Sequence, residues 1–273
     1  MLNIDCDLIL DLLSSLLKRI VKLFNVVNIL VQLILLFINF YSQFVKILAN
    51  YLCILYNSFT MIKLENVYLK LNREFYALYD INLDIKNGEK VALVGEDHSG
   101  KTMLLRLITK LEKPTKGAIF IKNTILEKID FSKDIQMGYL PTKNIFFENK
   151  TVKYNLEYIL KNKYSKEEIN SIIIEKLEEF NFSNFSETKI KELTEYEKTI
   201  LSILRLSLRK LEVLLIDSIF EKYNSKQNNN LINLIQEKLI KEDTTVLLAT
   251  KNEDIAKMFN FKIIKINNGS LED

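Results

Sequence analysis

The chain has 273 residues, 48% of them hydrophobic, and its 38 basic and 35 acidic side chains leave a formal net charge of +3. That length allows one large domain or two small ones, and so balanced a charge gives no compositional support to nucleic-acid binding. A single histidine, His98, excludes a multi-histidine metal site; Cys6 and Cys53 form neither a ligand pattern nor a disulfide framework, which fits a reduced, cytoplasmic setting.

Residues 1–60 contain neither Gly nor Pro and are rich in Leu, Ile, Val and Phe. Leu23 to Val45 carries no charge, enough at about 1.5 Å per residue to cross a ~30 Å hydrocarbon core as a helix. The run is not uniformly apolar. Lys18, Asn25, Gln32, Asn39 and Lys46 recur every seventh position, with Lys22, Gln43, Asn50 and Asn57 on a second row beside them. On a helix these rows form one narrow polar stripe, and the broad apolar remainder calls for lipid or protein. The acidic start (Asp5, Asp7, Asp11) argues against a secretory signal. Because Lys18, Arg19 and Lys22 precede the run, a single span would place the C-terminal part outside. A hairpin with spans near 23–43 and 47–62, or an interfacial helix, fits better. Met61-Ile-Lys-Leu-Glu-Asn-Val67 also reads as a natural domain start, with 1–60 then an upstream extension.

From Met61 the pattern becomes alternating α/β. Lys90–Val94 predicts a short buried strand and Thr102–Thr109 a helix; Ala118–Lys122 and Met137–Leu140 predict further strands. Residues 150–210 read as mostly helical, and Ser165-Lys-Glu-Glu168 has the form of a capping box. Val213–Ile216, Thr245–Ala249 and Lys262–Ile266 are β-branched runs suited to a buried sheet. Strands alternating with helices predict a parallel sheet covered on both faces.

Between the first strand and helix stands Gly95-Glu96-Asp97-His98-Ser99-Gly100-Lys101-Thr102, followed by Met103. This satisfies G-x4-G-K-[ST], in which a turn and a helix N-terminus aim backbone N–H groups at phosphate oxygens. Residues 95–103 are the candidate nucleotide site, with Lys101 toward the β- and γ-phosphates and the Thr102 hydroxyl on Mg²⁺. The six glycines of the chain all fall at such landmarks: these two, and turns at Gly88, Gly117, Gly138 and Gly269.

Taken in order, these segments resemble the ATP-binding cassette (ABC) family, the nucleotide-binding subunit of membrane transporters. The resemblance covers 61–273. It rests on Ala77-Leu-Tyr-Asp-Ile-Asn-Leu leading into the phosphate loop, Pro114-Thr-Lys-Gly117, and Met137-Gly-Tyr-Leu-Pro141 where the Q-loop strand belongs. Thr151-Val-Lys-Tyr-Asn-Leu156, Leu211-Glu-Val-Leu-Leu-Ile-Asp217 like a Walker B strand, Thr244–Thr250 and Ile266-Asn-Asn-Gly269 complete it. The implied fold is an α/β ABC-type P-loop NTPase core with a helical subdomain at about 143–208, preceded by the hydrophobic helical segment. The implied cofactors are ATP and Mg, with Thr102 and Asp217 as metal partners. The implied partners are a membrane permease and a second nucleotide-binding domain in a homo- or heterodimer, at the cytoplasmic face of the membrane.

The departures from the family pattern bear on turnover. Thr142 stands where the Q-loop glutamine belongs, and Leu193-Thr-Glu-Tyr-Glu197 where the family has Leu-Ser-Gly-Gly-Gln. Ser218 replaces the catalytic glutamate, Asn224 the D-loop aspartate and Lys251 the switch histidine. Leu71 occupies the slot of the adenine-stacking aromatic, with Tyr68 or Tyr76 as substitutes. A positioned general base contributes about 10²–10⁴ in rate, so losing it alone predicts slow or absent hydrolysis. Glu195 and Tyr196 are expected to turn a carboxylate and a ring toward the phosphates of an opposing subunit, and Glu96 and Asp97 to weaken anion binding at this one. His98, at a glycine position, tolerates left-handed backbone. The alternatives are a non-transport scaffold on the same fold, and residual turnover through Glu221 or a water held by Ser218.

Overall fold

The computed structural model describes Lys22, Gln32 and residues 34–48, 59–72 and 75–272. The chain divides into two compact units, Met1–Tyr56 and Asn57–Asp273. In the first, residues 34–48 form one unbroken helix with exposed apolar side chains, including Phe37 and Phe40. The expected hairpin fails here. The turn it needs at 44–46 is helical, because Phe44, Val45 and Lys46 include no residue that ends a helix. Its second span also runs into a strand that begins at Thr60, where Met61 and Ile62 are buried in the core of the second unit. The rest of both spans lies outside the described residues. Among the described residues, no helix is long and apolar enough to cross a membrane.

The second unit is built on two sheets. The larger has six strands in the order β10-β9-β3-β8-β7-β6, comprising β3 (Lys90–Val94), β6 (Met137–Leu140), β7 (Val213–Asp217), β8 (Thr245–Thr250), β9 (Lys262–Asn267) and β10 (Ser270–Leu271). All pairs are parallel except the β9–β10 edge. Successive side chains of a strand face opposite ways, and both faces here are apolar. Ala92, Val94, Leu214, Ile216, Val246 and Leu248 enter one core, while Val91, Leu93, Val213, Leu215, Leu247 and Ala249 enter the other. The first core packs against α2 (Val152–Leu160), α3 (Lys166–Glu179), α4 (Glu195–Ser207), α5 (Ser225–Lys238) and α6 (Glu253–Phe259); the second packs against α1 (Lys101–Ile108). The expected parallel sheet and the Ser165 capping box are present, but the strand expected at Ala118–Lys122 lies in the second sheet, not this one.

The second sheet was not legible from alternation alone. It is antiparallel, in the order β2-β1-β4-β5, with β1 (Thr60–Lys70), β2 (Tyr76–Lys86), β4 (Lys116–Ile121) and β5 (Thr124–Ile125). Bulges break its period. The β1–β2 register slips between Leu64 and Val67, where Asn66 takes a left-handed φ of 46°, and Asp80 on β2 does the same at 51°. Asn and Asp accept that conformation more readily than other non-glycine residues. Gly117 closes the bulge from β4, since a Cβ there would lie 2.2 Å from the Asn66 carbonyl oxygen.

Candidate functional site

Strand β3 delivers the chain into the phosphate loop at the C-terminal edge of the parallel sheet, where ligands of such sheets bind. The Gly95 N–H donates to the Thr250 carbonyl on β8, and a Cβ at Gly95 would lie 2.1 Å from the Ile266 carbonyl oxygen. His98 takes the left-handed conformation its position demands, with φ 64°. Gly100, at φ 104°, precedes α1. That helix starts with no side-chain cap and no acidic residue in its first turn, so its N-terminal N–H groups and positive dipole end are open to an anion.

Lys101 is 6% exposed, and its ammonium is folded back into the loop. It donates to the carbonyls of Gly95 (2.6 Å) and Glu96 (2.7 Å) and to the Ser99 hydroxyl (3.1 Å). Burial lowers its pKa from the ordinary lysine value, and Glu221, Asp97, Asp217 and Glu96 oppose that fall. Asp97, His98, Ser99, Gly100, Lys101, Thr102 and Met103 line an open cleft of about 590 Å³ with Leu71, Phe75, Ala77, Thr142 and Ser218. Gly95 and Glu96 serve the site through their carbonyls on Lys101.

One wall of the cleft is apolar, and its aromatic member escaped the sequence reading. Phe75 stands there beside Leu71, the two joined by a Leu71 N–H bond to the Phe75 carbonyl across the β1–β2 turn. Tyr68 and Tyr76, the expected substitutes, instead pack edge-on with Tyr79, at centroid distances of 5.1–6.1 Å, and do not line the cleft. Pairing Leu71 with Phe75 across a hairpin was the signal that could have found it, and it required β1 and β2 to be recognised first.

At the opposite side Asp217 ends β7, 2% exposed. The Thr102 hydroxyl donates to its Oδ1 (2.8 Å), the Tyr139 phenol to its Oδ2 (3.0 Å), and the Thr142 hydroxyl to its backbone carbonyl (3.0 Å). Thr142 thus steadies β7. One hydroxyl and one carboxylate fit magnesium, which usually takes one or two protein groups and completes its shell with phosphate and water oxygens. The residues present therefore fit a Mg-nucleotide. Among the described residues no cluster of three or more His, Cys, Asp or Glu offers a different metal site.

The turnover machinery is differently arranged. Ser218 lines the cleft in a left-handed conformation (φ 48°) and carries no basic group. Glu221 faces a separate cavity with Asn224 and Asn228, where its carboxylate accepts from the Lys251 N–H (3.1 Å) and the Thr250 hydroxyl (3.4 Å). It is engaged as a cap on the loop after β8. Lys251 meets Asp97 at 3.1 Å, and that hydrogen bond raises the lysine pKa. Of the two acids expected to weaken anion binding, Asp97 is thus paired with the Lys251 ammonium.

The expectation for Glu195 and Tyr196 also changes. The Tyr196 ring folds back edge-on against Tyr223 (5.4 Å), and its hydroxyl accepts from Asn230 (2.7 Å). Glu195 is exposed, 3.3 Å from Lys198. The start of α4 is closed by a capping box, in which the Thr194 hydroxyl accepts from the Glu197 N–H (3.2 Å) and the Glu197 carboxylate from the Thr194 N–H (2.8 Å). The box engages the Thr194 and Glu197 N–H groups, and two glutamates, Glu195 and Glu197, occupy the first turn, where the positive end of the helix dipole would otherwise favour an anion.

Comparison with known proteins agrees with this geometry. The sn-glycerol-3-phosphate import ATP-binding protein UgpC of Bartonella bacilliformis is 29% identical over 213 residues, covering 77% of this chain and 61% of that protein. The phosphonates import ATP-binding protein PhnC of Fusobacterium nucleatum is 28% identical over 226 residues, covering 78% of this chain and 91% of that protein. The chain thus spans about three fifths of the UgpC length but nearly all of PhnC. Among solved structures, the dimeric ATP-binding cassette MJ0796 bound to ADP and Pi superposes with a TM-score of 0.69 at 27% identity, covering 78% of this chain and 97% of that one. The family model described as ABC transporter matches residues 78–221, just over half of the chain, which belongs to that family as an ATP-binding, phosphate-loop member.

Proposed function

We propose that this chain is the ATP-binding subunit of an ABC-type transporter that holds Mg-ATP and hydrolyses it slowly or not at all. The observation that carries the reading is a contrast between two helix starts. At α1 the start is uncapped, free of acid and served by Lys101, Thr102 and Asp217. At α4 it is capped and acidic. Magnesium, when bound, supplies charge neutralisation for the phosphates. The chain's own part is to offer backbone N–H groups, the Lys101 ammonium, the Thr102 hydroxyl and an apolar wall of Leu71 and Phe75 for a base. With Ser218 in place of a carboxylate, the cleft lacks a general base at the end of β7, where the family pattern places one.

A membrane permease is the proposed partner, at the cytoplasmic face, with a second nucleotide-binding domain completing a dimer. An exposed aromatic patch just beyond Thr142 supports a protein partner. Ile145 is 70% exposed, and Phe147 stacks edge-on with Tyr154 (5.9 Å) and Tyr158 (4.9 Å). Aromatic residues concentrated in one exposed patch are characteristic of interfaces. The test is thermal unfolding of the chain with and without millimolar Mg-ATP. Stabilisation that disappears in Lys101→Ala is expected. Unfolding curves that ignore both nucleotide and the substitution would leave the scaffold reading in its place.

A further inference from the structure

Asp217 is held by two side chains that do different chemistry. The Thr102 hydroxyl gives its proton to Oδ1, so the threonine oxygen's lone pairs point away from the carboxylate and stay available to a cation. The other oxygen, Oδ2, accepts from the Tyr139 phenol at 3.0 Å. Tyr139 is half-buried on β6, in register with Leu215 on the adjacent β7, so the sheet fixes where its ring lies.

We propose that Tyr139 is a positioning residue for the magnesium: by donating to Oδ2 it locks the Asp217 carboxylate, so that Oδ1 keeps the Thr102 proton and both the carboxylate and the threonine oxygen stay oriented for the ion. This rests on the Mg-ATP reading above and deepens it. Without the phenol, a buried carboxylate oxygen is left unpaired. The carboxylate is then free to turn about its Cβ–Cγ bond, and the Thr102 oxygen loses its fixed orientation. Partners that orient a metal ligand typically contribute 10–100-fold to metal affinity.

The experiment uses the full chain and measures ATP affinity by calorimetry across a Mg²⁺ titration and again in EDTA. Tyr139→Phe is expected to raise the half-saturating Mg²⁺ by about tenfold, with affinity in EDTA unchanged. In an Asp217→Asn background, adding Tyr139→Phe is expected to change the Mg²⁺ response less than about twofold, because the residue acts through that carboxylate. The double variant also removes the unpaired charge, so the cycle stays readable if the single variant folds poorly. An unchanged Mg²⁺ response in Tyr139→Phe would overturn the assignment, and so would an equal loss in EDTA or full additivity with Asp217→Asn. If the wild-type chain shows no Mg²⁺-dependent nucleotide binding, the parent reading falls and takes this one with it; a responsive wild type with a silent Tyr139→Phe overturns this one alone.

Discussion

Helices α1 and α4 both begin where an ABC protein handles phosphate, yet they differ in every property that governs an anion. The start of α1 follows a left-handed glycine, has no side-chain cap and carries Lys101, buried and held by carbonyls. The start of α4 has a complete capping box and two glutamates. A capping box stabilises a helix by satisfying two of the N–H groups at its start, and the glutamates beside it repel an anion. The same backbone geometry therefore serves binding at one place and stability at the other. That contrast is what the proposed function rests on: a chain that would keep its own half-site while giving little to an opposing one.

The largest effect expected from breaking this comparison is on turnover. Restoring a carboxylate with Ser218→Glu is expected to change ATP hydrolysis little by itself, because α4 still presents a closed, acidic start. Adding Glu195→Gly and Tyr196→Gly is expected to raise the rate by about 10²–10⁴ over the parent chain. A coupled assay for released phosphate measures this. A full gain from Ser218→Glu alone would show that the α4 start is not what limits the reaction. Next in size, Lys101→Ala is expected to weaken ATP binding by about tenfold or more, since one charge-assisted bond is worth ~1.5–3 kcal/mol. Calorimetry with Mg-ATP reads it, and binding within twofold of the parent would remove Lys101 from the phosphate contacts.

How much of this was legible in the sequence follows from how local each signal is. The parallel strands, the phosphate loop and the left-handed His98 depend on runs of adjacent residues, and they stand where the sequence places them. Of the antiparallel sheet only the strand at Ala118–Lys122 was expected; β1 and β2 were missed because Asn66 and Asp80 interrupt their alternation with bulges. Phe75 was missed with them, since its place in the cleft depends on that hairpin. The sequence shows that Lys251 and Glu221 are charged, but only the fold shows that Lys251 meets Asp97 and that Glu221 caps the Lys251 backbone. The reversal of Tyr196 likewise depends on Tyr223 and Asn230, which come from other elements.

A smaller effect separates the two helix starts by stability. Thr194→Ala removes the α4 cap and is expected to cost about 1 kcal/mol, lowering the melting temperature by about 2–4 °C for a chain of this size. Nucleotide affinity at the α1 cleft is expected to stay within twofold. Calorimetric melting with and without Mg-ATP separates the two, and an equal loss of affinity would mean that the helix starts are coupled.

The smallest expected effect concerns the ion pair that covers the phosphate loop. Lys251 and Asp97 are 43% and 69% exposed, so their bridge contributes little to folding, and the melting temperature of Lys251→Met is expected to move by less than about 2 °C. Its effect on binding differs in origin. Without the ammonium, Asp97 presents its full negative charge to the cleft it lines, and ATP affinity is expected to fall about two- to threefold at low ionic strength. Salt screens exposed charges with a Debye length of about 8 Å at 0.15 M, so the gap between variant and parent narrows as salt rises. Asp97→Asn in the Lys251→Met background removes the repulsion and is expected to restore the parent affinity. Recovery in that double variant, or its failure, decides whether Lys251 acts by neutralising Asp97 or by contacting the nucleotide directly. Direct contact would leave the double variant as weak as Lys251→Met and would make the Lys251 ammonium part of the α1 half-site itself.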